Sequence, residues 1–334
     1  MIQVLEQLPS LRDKPNGRLE ELQDLLADQA RENHDIRTSA DNLIVDESSG
    51  ALLLRSLDFK PFKMRPLALS QLANRLSVPY GYIERCPAEL AAENLNHWLR
   101  KEPDRKVMLR CRGDEVRAVL SARYYPIDNI DLIRWVSEVF GRDFPLRFEV
   151  TEESLDVQLL TEARHHVDRD DWLDSGLSIH NSEVGLRALE VRGMVYRQVC
   201  LNGLILYGKQ QGYRRRHIGT SSVAARIQEA LNSLKVESGK HMQEFDATRR
   251  VRMPAFDQVM AEIDKRYELS EQQVEAIFAA YRMEPGDTLY HTINAVTRAG
   301  NAESLDLDSR RSLQQVGGRM LSLADEGRSW IDRN

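Results

Sequence analysis

Leu177–Ile218 reads LSIHNSEVGLRALEVRGMVYRQVCLNGLILYGKQQGYRRRHI, and its reading decides the fold. Apolar and polar residues alternate for long stretches, the period of two that a pleated strand imposes. Gly185, Gly193, Gly203 and Gly208 punctuate it where turns, bulges or close backbone approaches belong. This is the β-rich centre of the chain, and also its basic centre. From Val184 to Arg226 eight Lys/Arg residues stand against one acid, Glu190, a local +7 in a chain of net charge −6. A basic island in an acidic protein is an electrostatic footprint for an anionic partner.

Outward from that stretch the pattern changes twice. Upstream, residues 1–34 read as a helical lead-in with Leu19, Leu22, Leu25 and Leu26 on one face. Two apolar runs in Asp41–Leu57, split by Glu47-Ser48-Ser49-Gly50, signal a hairpin. Residues 66–100 are helical, with Leu69, Leu72, Ala73 and Leu76 in one stripe and Leu90, Leu95, Trp98 and Leu99 in another beyond Pro79. Ala73, Val78 and Ile83 stand at helix-turn-helix offsets, with Ser77 in the turn position usually given to Gly. The second helix there is short and hardly basic, so two packed helices is the plainer reading.

KVMLRCR and EVRAVLS around Gly113-Asp114 form the clearest hairpin, of type II′. Alternation puts Val107, Leu109 and Cys111 on one face and Lys106, Met108, Arg110 and Arg112 on the other, which predicts a basic strand face. Asp128 or Asn129 is placed to cap a following helix. Residues 146–162 suggest a second hairpin, and 163–176 a polar, acidic loop. From Thr220 onward the periodicity is helical, and Ser270-Glu271-Gln272-Gln273 is a capping box. Strands followed by helices give an α+β protein. Its expected regions are a helical lead-in over 1–34, an antiparallel β-rich core of hairpins over 35–219, and an all-helical third over 220–334.

Composition narrows the class. At 334 residues, 42% hydrophobic and 29% charged, the chain has the make-up of a soluble globular protein. No apolar run approaches the roughly 18 residues of a membrane helix, and MIQVLEQLPSLRDK lacks the pattern of a signal peptide. Three widely spaced cysteines, Cys86, Cys111 and Cys200, suit a reducing cytoplasm. There is no Walker A, GxGxxG or GxSxG pattern, so no cofactor and no catalytic residue is assigned.

The basic island has the ingredients of a nucleic-acid surface. Arg187, Arg192, Arg197, Lys209, Arg214, Arg215 and Arg216 are phosphate-contact candidates, and Tyr196, Tyr207 and Tyr213 can stack on bases. Arg110, Arg112, Arg117 and Arg123 with Tyr124 and Tyr125 would add a second basic β-surface lining the same groove. The plainer reading makes these ordinary solvent-facing strand residues. A rival site is His165-His166-Val167-Asp168-Arg169-Asp170-Asp171 with Asp174, His180 and Glu183, whose imidazoles and carboxylates are the donor types of a divalent-metal nuclease. A polar loop is the simpler account, and no metal is assigned. Cys200, among apolar neighbours, reads as a core thiol.

Several short motifs, taken in order, resemble a known family. Arg117-Ala118-Val119-Leu120-Ser121, Arg123-Tyr124 and Ile127-Asp128-Asn129 come first, then His180-Asn181-Ser182-Glu183-Val184-Gly185, then Tyr196-Arg197 and Cys200-Leu201-Asn202-Gly203. Together they are similar to the phage/plasmid-like family known as domain of unknown function 932, over roughly residues 40–300. The resemblance implies a mobile-element setting and transfers no catalytic residue. A β-rich core with basic strands and a helical tail also looks like the ring-forming single-strand annealing proteins of phages, which need neither metal nor ATP.

The expectation is therefore a cytoplasmic homo-oligomer that binds single-stranded DNA and promotes strand annealing. Three rivals stand beside it: a metal-dependent nuclease using 165–174, a sequence-specific regulator using 70–85, and a protein-interaction module such as an inhibitor of a host system.

Overall fold

Two stretches of alternating sequence build two sheets, and helices cover them. The computed structural model describes residues 16–48, 50–56, 59–168, 171–198, 202–206, 212–219, 223–237 and 240–325. The first part of the chain runs β1 (Gly17–Arg18), α1 (Leu19–Ala30), β2 (Asn33–Ser39), β3 (Ile44–Ser48), β4 (Ala51–Ser56), β5 (Phe59–Met64), α2 (Pro66–Arg75), α3 (Tyr80–Ile83), α4 (Ala88–Lys101), β6 (Lys106–Arg112) and β7 (Glu115–Ser121). The centre is α5 (Asn129–Phe140), β8 (Pro145–Val150), β9 (Leu155–Asp168), β10 (Asp171–Asn181), β11 (Leu189–Arg197), β12 (Asn202–Ile205) and β13 (Gly212–Arg215). The rest is helical: α6 (Val223–Glu237), α7 (Lys240–Ala247), α8 (Phe256–Tyr267), α9 (Glu271–Met283), α10 (Leu289–Ala299) and α11 (Leu307–Asp325). This is an α+β fold.

Among the described residues the first sheet has the order β2-β6-β7-β5-β4-β3, and the second β1-β8-β9-β10-β11-β12, with β13 also on β11. Pairing is antiparallel except between β5 and β7, which run parallel, so the core is not purely a set of hairpins. The hairpins predicted within 41–57, 106–121 and 146–162 are present as β3–β4, β6–β7 and β8–β9, the last running on to Asp168. Gly113 supplies the left-handed turn residue of the second, at φ +55°.

One face of the first sheet buries Val107, Leu109, Cys111 and Val119 against α2 and α4, where Leu72 and Leu95 are fully buried. The second sheet sets Val157, Leu177, Ile179 and Val191 against α1, α5 and α6. Further along, Leu173, Val195 and Leu204 join the core of the C-terminal helices with Phe245, Ile277 and Ile293. Helix α11 crosses β12 so closely that a Cβ on Gly318 would lie 1.7 Å from the Ile205 carbonyl oxygen. Only glycine permits that approach.

Several expectations change. Residues 163–176 are not a loop, because β9 runs on to Asp168 and β10 begins at Asp171. Polar cross-strand pairs hold these strands where apolar alternation is missing: Arg164 Nε to Asp174 at 2.9 Å, and the His166 ring 4.6 Å from Trp172. Leu25, Leu90 and Trp98, placed in buried stripes by the sequence reading, are exposed. The helix-turn-helix offsets mark packing: Ala73, Val78 and Ile83 are buried, and Ser77 turns the chain at φ +58°. Helix α3 is four residues long, a single turn. The capping box at Ser270 is present as read, with Ser270 Oγ accepting from the Gln273 N–H.

Candidate functional site

The two sheets meet at the turn after β10, and the site is built from there. Asn181 Nδ2 donates to the Ile127 carbonyl at 2.9 Å and to Asn129 Oδ1 at 2.8 Å. Glu183 Oε1 accepts the Asn129 N–H at 2.7 Å, so α5 is capped from another element. Asp128 stands at the N-cap but makes no side-chain cap, because its carboxylate is held by Arg110. The other Glu183 oxygen takes Arg117 at 3.1 Å, with both side chains almost wholly buried. The Glu183 carbonyl accepts from Arg110 Nη1 at 3.1 Å and from the Tyr124 hydroxyl at 3.0 Å. Gly185 turns the chain at φ +80°, where a Cβ would meet Leu120 at 2.6 Å. The motif residues of the first two groups therefore interlock as a latch between the sheets.

This latch corrects the predicted basic face. Arg110 and Met108 point inward, with Ala118 and Leu120, at the junction of the sheets. Arg110 is bound by Asp35 at 3.0 Å and by Asp128. Burial works against its charge, but Asp128 and Asp35 outweigh that and raise its pKa above the ordinary guanidinium value. Arg112 reaches Glu152 at 3.3 Å, and a bulge between Arg110 and Cys111 breaks the simple alternation.

Two arginines of the central island, Arg192 and Arg197, are likewise internal. Arg197 is buried between Asp171, at 2.7 Å, and Glu284, at 2.6 Å. Arg192 is buried 3.9 Å from Glu190, which also accepts from Arg214 at 2.9 Å. Arg187 is exposed and paired with Asp308 at 2.8 Å. Tyr196 is 1% exposed, so no base can stack on it in this conformation. Tyr124 is buried and stacks on His217 at 5.0 Å with an interplanar angle of 2°. Tyr213 is half-buried beside the core under α6. Lys209, Tyr207 and Cys200 lie outside the described residues.

What remains on the surface is a narrower seam where the end of β13 meets the segment after β7. Tyr124 bridges to Ile218, and the Tyr125 N–H donates to the His217 carbonyl at 2.9 Å. The seam carries Arg123, Arg215 and Arg216, half-buried Tyr125, and Ile218, which is 58% exposed. The Arg215 guanidinium lies 5.8 Å from the Tyr125 ring centre. Arg37 of β2 joins it by donating to the Ala122 carbonyl at 2.8 Å. Among the described residues Arg37, Arg123 and Arg216 have no acidic partner. Sequence reading missed Arg37, since nothing local distinguishes it from other exposed strand cations. His217, behind the seam, is pushed down to about 4 by burial.

The other face of the second sheet holds a second polar assembly. Strand register sets Asp156, His180 and Glu190 side by side across β9, β10 and β11. Arg311 of α11 reaches Asp156 and Ser178, each at 2.7 Å, and Glu190 at 3.4 Å. Burial alone would raise the Asp156 pKa, but Arg311 and then His180 outweigh it and hold the carboxyl below its usual range. Arg311 lies 155 residues from Asp156 in the chain, so no local pattern announces this contact.

The acidic stretch proposed for a metal is largely engaged. Asp171 binds Arg197, Asp174 binds Arg164 and Gln198, and His165 lies 3.2 Å from Asp246. Residues 169 and 170 lie outside the described residues. Among the described residues no three His, Cys, Asp or Glu side chains converge as metal ligands would. Nor is any helix among them long and apolar enough to cross a membrane.

No curated protein and no solved structure matches the chain. A family model described as a domain of unknown function, DUF932, matches residues 116–312, a span that contains the latch residues Arg117, Tyr124, Asn129, Asn181 and Glu183 but not Arg110. That span is more than half of the 334 residues, and the chain belongs to the DUF932 family.

Proposed function

We propose that this protein binds nucleic acid, single-stranded DNA in the first instance, through the seam of Arg37, Arg123, Arg215 and Arg216 around Tyr125. The carrying observation is that Arg37, Arg123 and Arg216, which have no acidic partner among the described residues, lie here with an aromatic ring, in a chain that is acidic overall. Backbone phosphates suit the guanidiniums, and a base can stack against Tyr125. Of the buried arginines, Arg110 and Arg117 act instead in the latch, and Arg192 and Arg197 in internal ion pairs.

Four arginines neutralise few phosphates, so one protomer offers a short and weak site. A homo-oligomer that repeats the seam along one strand supplies the missing affinity by avidity. That arrangement favours strand annealing, in a cytoplasmic, mobile-element setting. The test is binding of labelled single- and double-stranded oligonucleotides across a salt series, with light scattering for the assembly state. Each phosphate contact on a single strand contributes about 0.7 to the slope of log K against log salt. The expected result is single-strand preference and a slope that falls when Arg123 and Arg216 become alanine. Absence of binding at low salt would overturn the proposal and leave the seam for an acidic protein surface.

A further inference from the structure

A second hollow lies on the polar face of the second sheet, away from the seam. It is a cavity of about 240 Å³ lined by Arg147, Asp156, Gln158, Arg310, Arg311 and Gln314, among others. Its two carboxylates are already engaged: Glu149 accepts from Arg310 at 3.0 Å and Asp156 from Arg311 at 2.7 Å. Three guanidiniums line it against these two carboxylates, with Glu190 behind also reached by Arg311 at 3.4 Å. Arg311 is 5% exposed, yet among the described residues its Nε–H has no acceptor, and the same holds for the Nε–H of Arg310. A buried N–H without an acceptor costs free energy, so these donors are open to an acceptor brought by a ligand. Arg147 stands exposed at the rim with no acidic partner among the described residues. The first turn of α11 also lines the cavity, and its end of the helix favours negative charge.

Arg147 and Asn301 line a neighbouring groove of about 720 Å³ as well. That groove is walled by Ala276, Ala279, Ala280 and Ala299 of α9 and α10, with Met283 at its edge. Small side chains leave room there for an apolar body next to the polar cavity.

We propose that the cavity binds the oxyanion head of a small organic acid or phosphate ester, with the ligand's apolar body in the alanine-walled groove. The donors of Arg147, Arg310 and Arg311 take the head, and Gln158 and Gln314 border it. This site does not depend on the nucleic-acid reading, since it uses another face of the sheet and another set of arginines.

The test titrates the full-length protein with inorganic phosphate, phenyl phosphate and benzoate at constant ionic strength, following the unfolding temperature and the heat of binding. Phosphate and phenyl phosphate stabilising the fold would identify a phosphate site, and benzoate alone a carboxylate site. The ring-bearing probe should bind more tightly than inorganic phosphate. Arg147→Ala should weaken binding by about tenfold or more while the fold persists, as expected for loss of a charged hydrogen bond. Arg216→Ala, in the seam, should leave it unchanged. No response to any probe, or equal responses in wild type and Arg147→Ala, would overturn the assignment. Equal affinity for phosphate and phenyl phosphate would overturn its groove half.

Discussion

The junction of the sheets and the seam beside it draw on the same basic sequence but use it in opposite ways. At the junction, Arg110 and Arg117 are buried, each with carboxylates within reach, and their charges are spent on holding one sheet against the other. At the seam, Arg123 and Arg216 lie in solvent with no acidic partner among the described residues. Both segments are rich in arginine, and burial separates them. A buried ion pair resists loss of one partner because the other is left desolvated and alone, whereas an exposed cation can be removed at almost no cost to the fold. An arginine count therefore locates neither a binding surface nor a structural core until the partner of each side chain is known.

Removing the junction's central carboxylate is the largest expected perturbation. Glu183→Ala strands Arg117 and uncaps Asn129, and should lower stability by about 3–5 kcal/mol in urea unfolding. Replacing the pair together, Arg117→Met with Glu183→Gln, should recover much of that loss, since the uncompensated charge disappears. A loss below about 1 kcal/mol for Glu183→Ala would put the latch among exposed pairs and erase the contrast.

The next effect is tied to pH and to His217, the buried histidine of the island. Its pKa falls from 6.5 to about 4 on folding, so between those values the unfolded chain binds more protons. Stability is fully present above pH 6.5 and is lost as pH falls toward 4, by about 3 kcal/mol in all. Asp156 and Glu190, whose folded pKa values are lowered from 3.8 and 4.5, lose their contribution as pH falls below those values, so most of the His217 window lies above theirs. His217→Phe keeps a ring against Tyr124 and should flatten the curve between pH 6.5 and 4. An unchanged slope there would show that another group carries it.

The sequence revealed the fold well where burial follows a simple period. The hairpin at Gly113-Asp114, the strands of Leu177–Ile205, the capping box at Ser270 and the strand-then-helix order were all legible. It failed where partners, not hydropathy, decide. Polar strands at Arg164–Asp174 look like a loop until their cross-strand pairs are seen. Arg110 looks exposed by alternation because the second sheet that buries it comes some 70 residues later. The latch was legible as a motif set, not as a contact, and the arginine–carboxylate pairs link positions up to 161 residues apart. Arg37 entered the seam only through folding.

Arg187 falls between the two cases, exposed yet paired with Asp308. Because water screens both partners, Arg187→Ala should cost about 0.5 kcal/mol or less. A loss near that of the buried pairs would mean that α11 is fastened to the second sheet by this contact more than by Arg311.

The smallest stability effect, and the one that most sharpens the contrast, belongs to the seam. Arg123→Ala with Arg216→Ala removes two exposed guanidiniums, neither paired with an acid, and should shift unfolding by no more than about 0.5 kcal/mol. The same variant should lower the salt slope of single-strand binding by about 1.4, two contacts at about 0.7 each. Mildly destabilising changes at the junction should leave that slope alone, provided binding is measured where the protein stays folded. The two readouts then separate: stability reports the buried arginines, and salt dependence reports the exposed ones. If the seam variant unfolded early with its slope unchanged, the assignment of roles would be reversed, and Arg123 and Arg216 would belong with the latch.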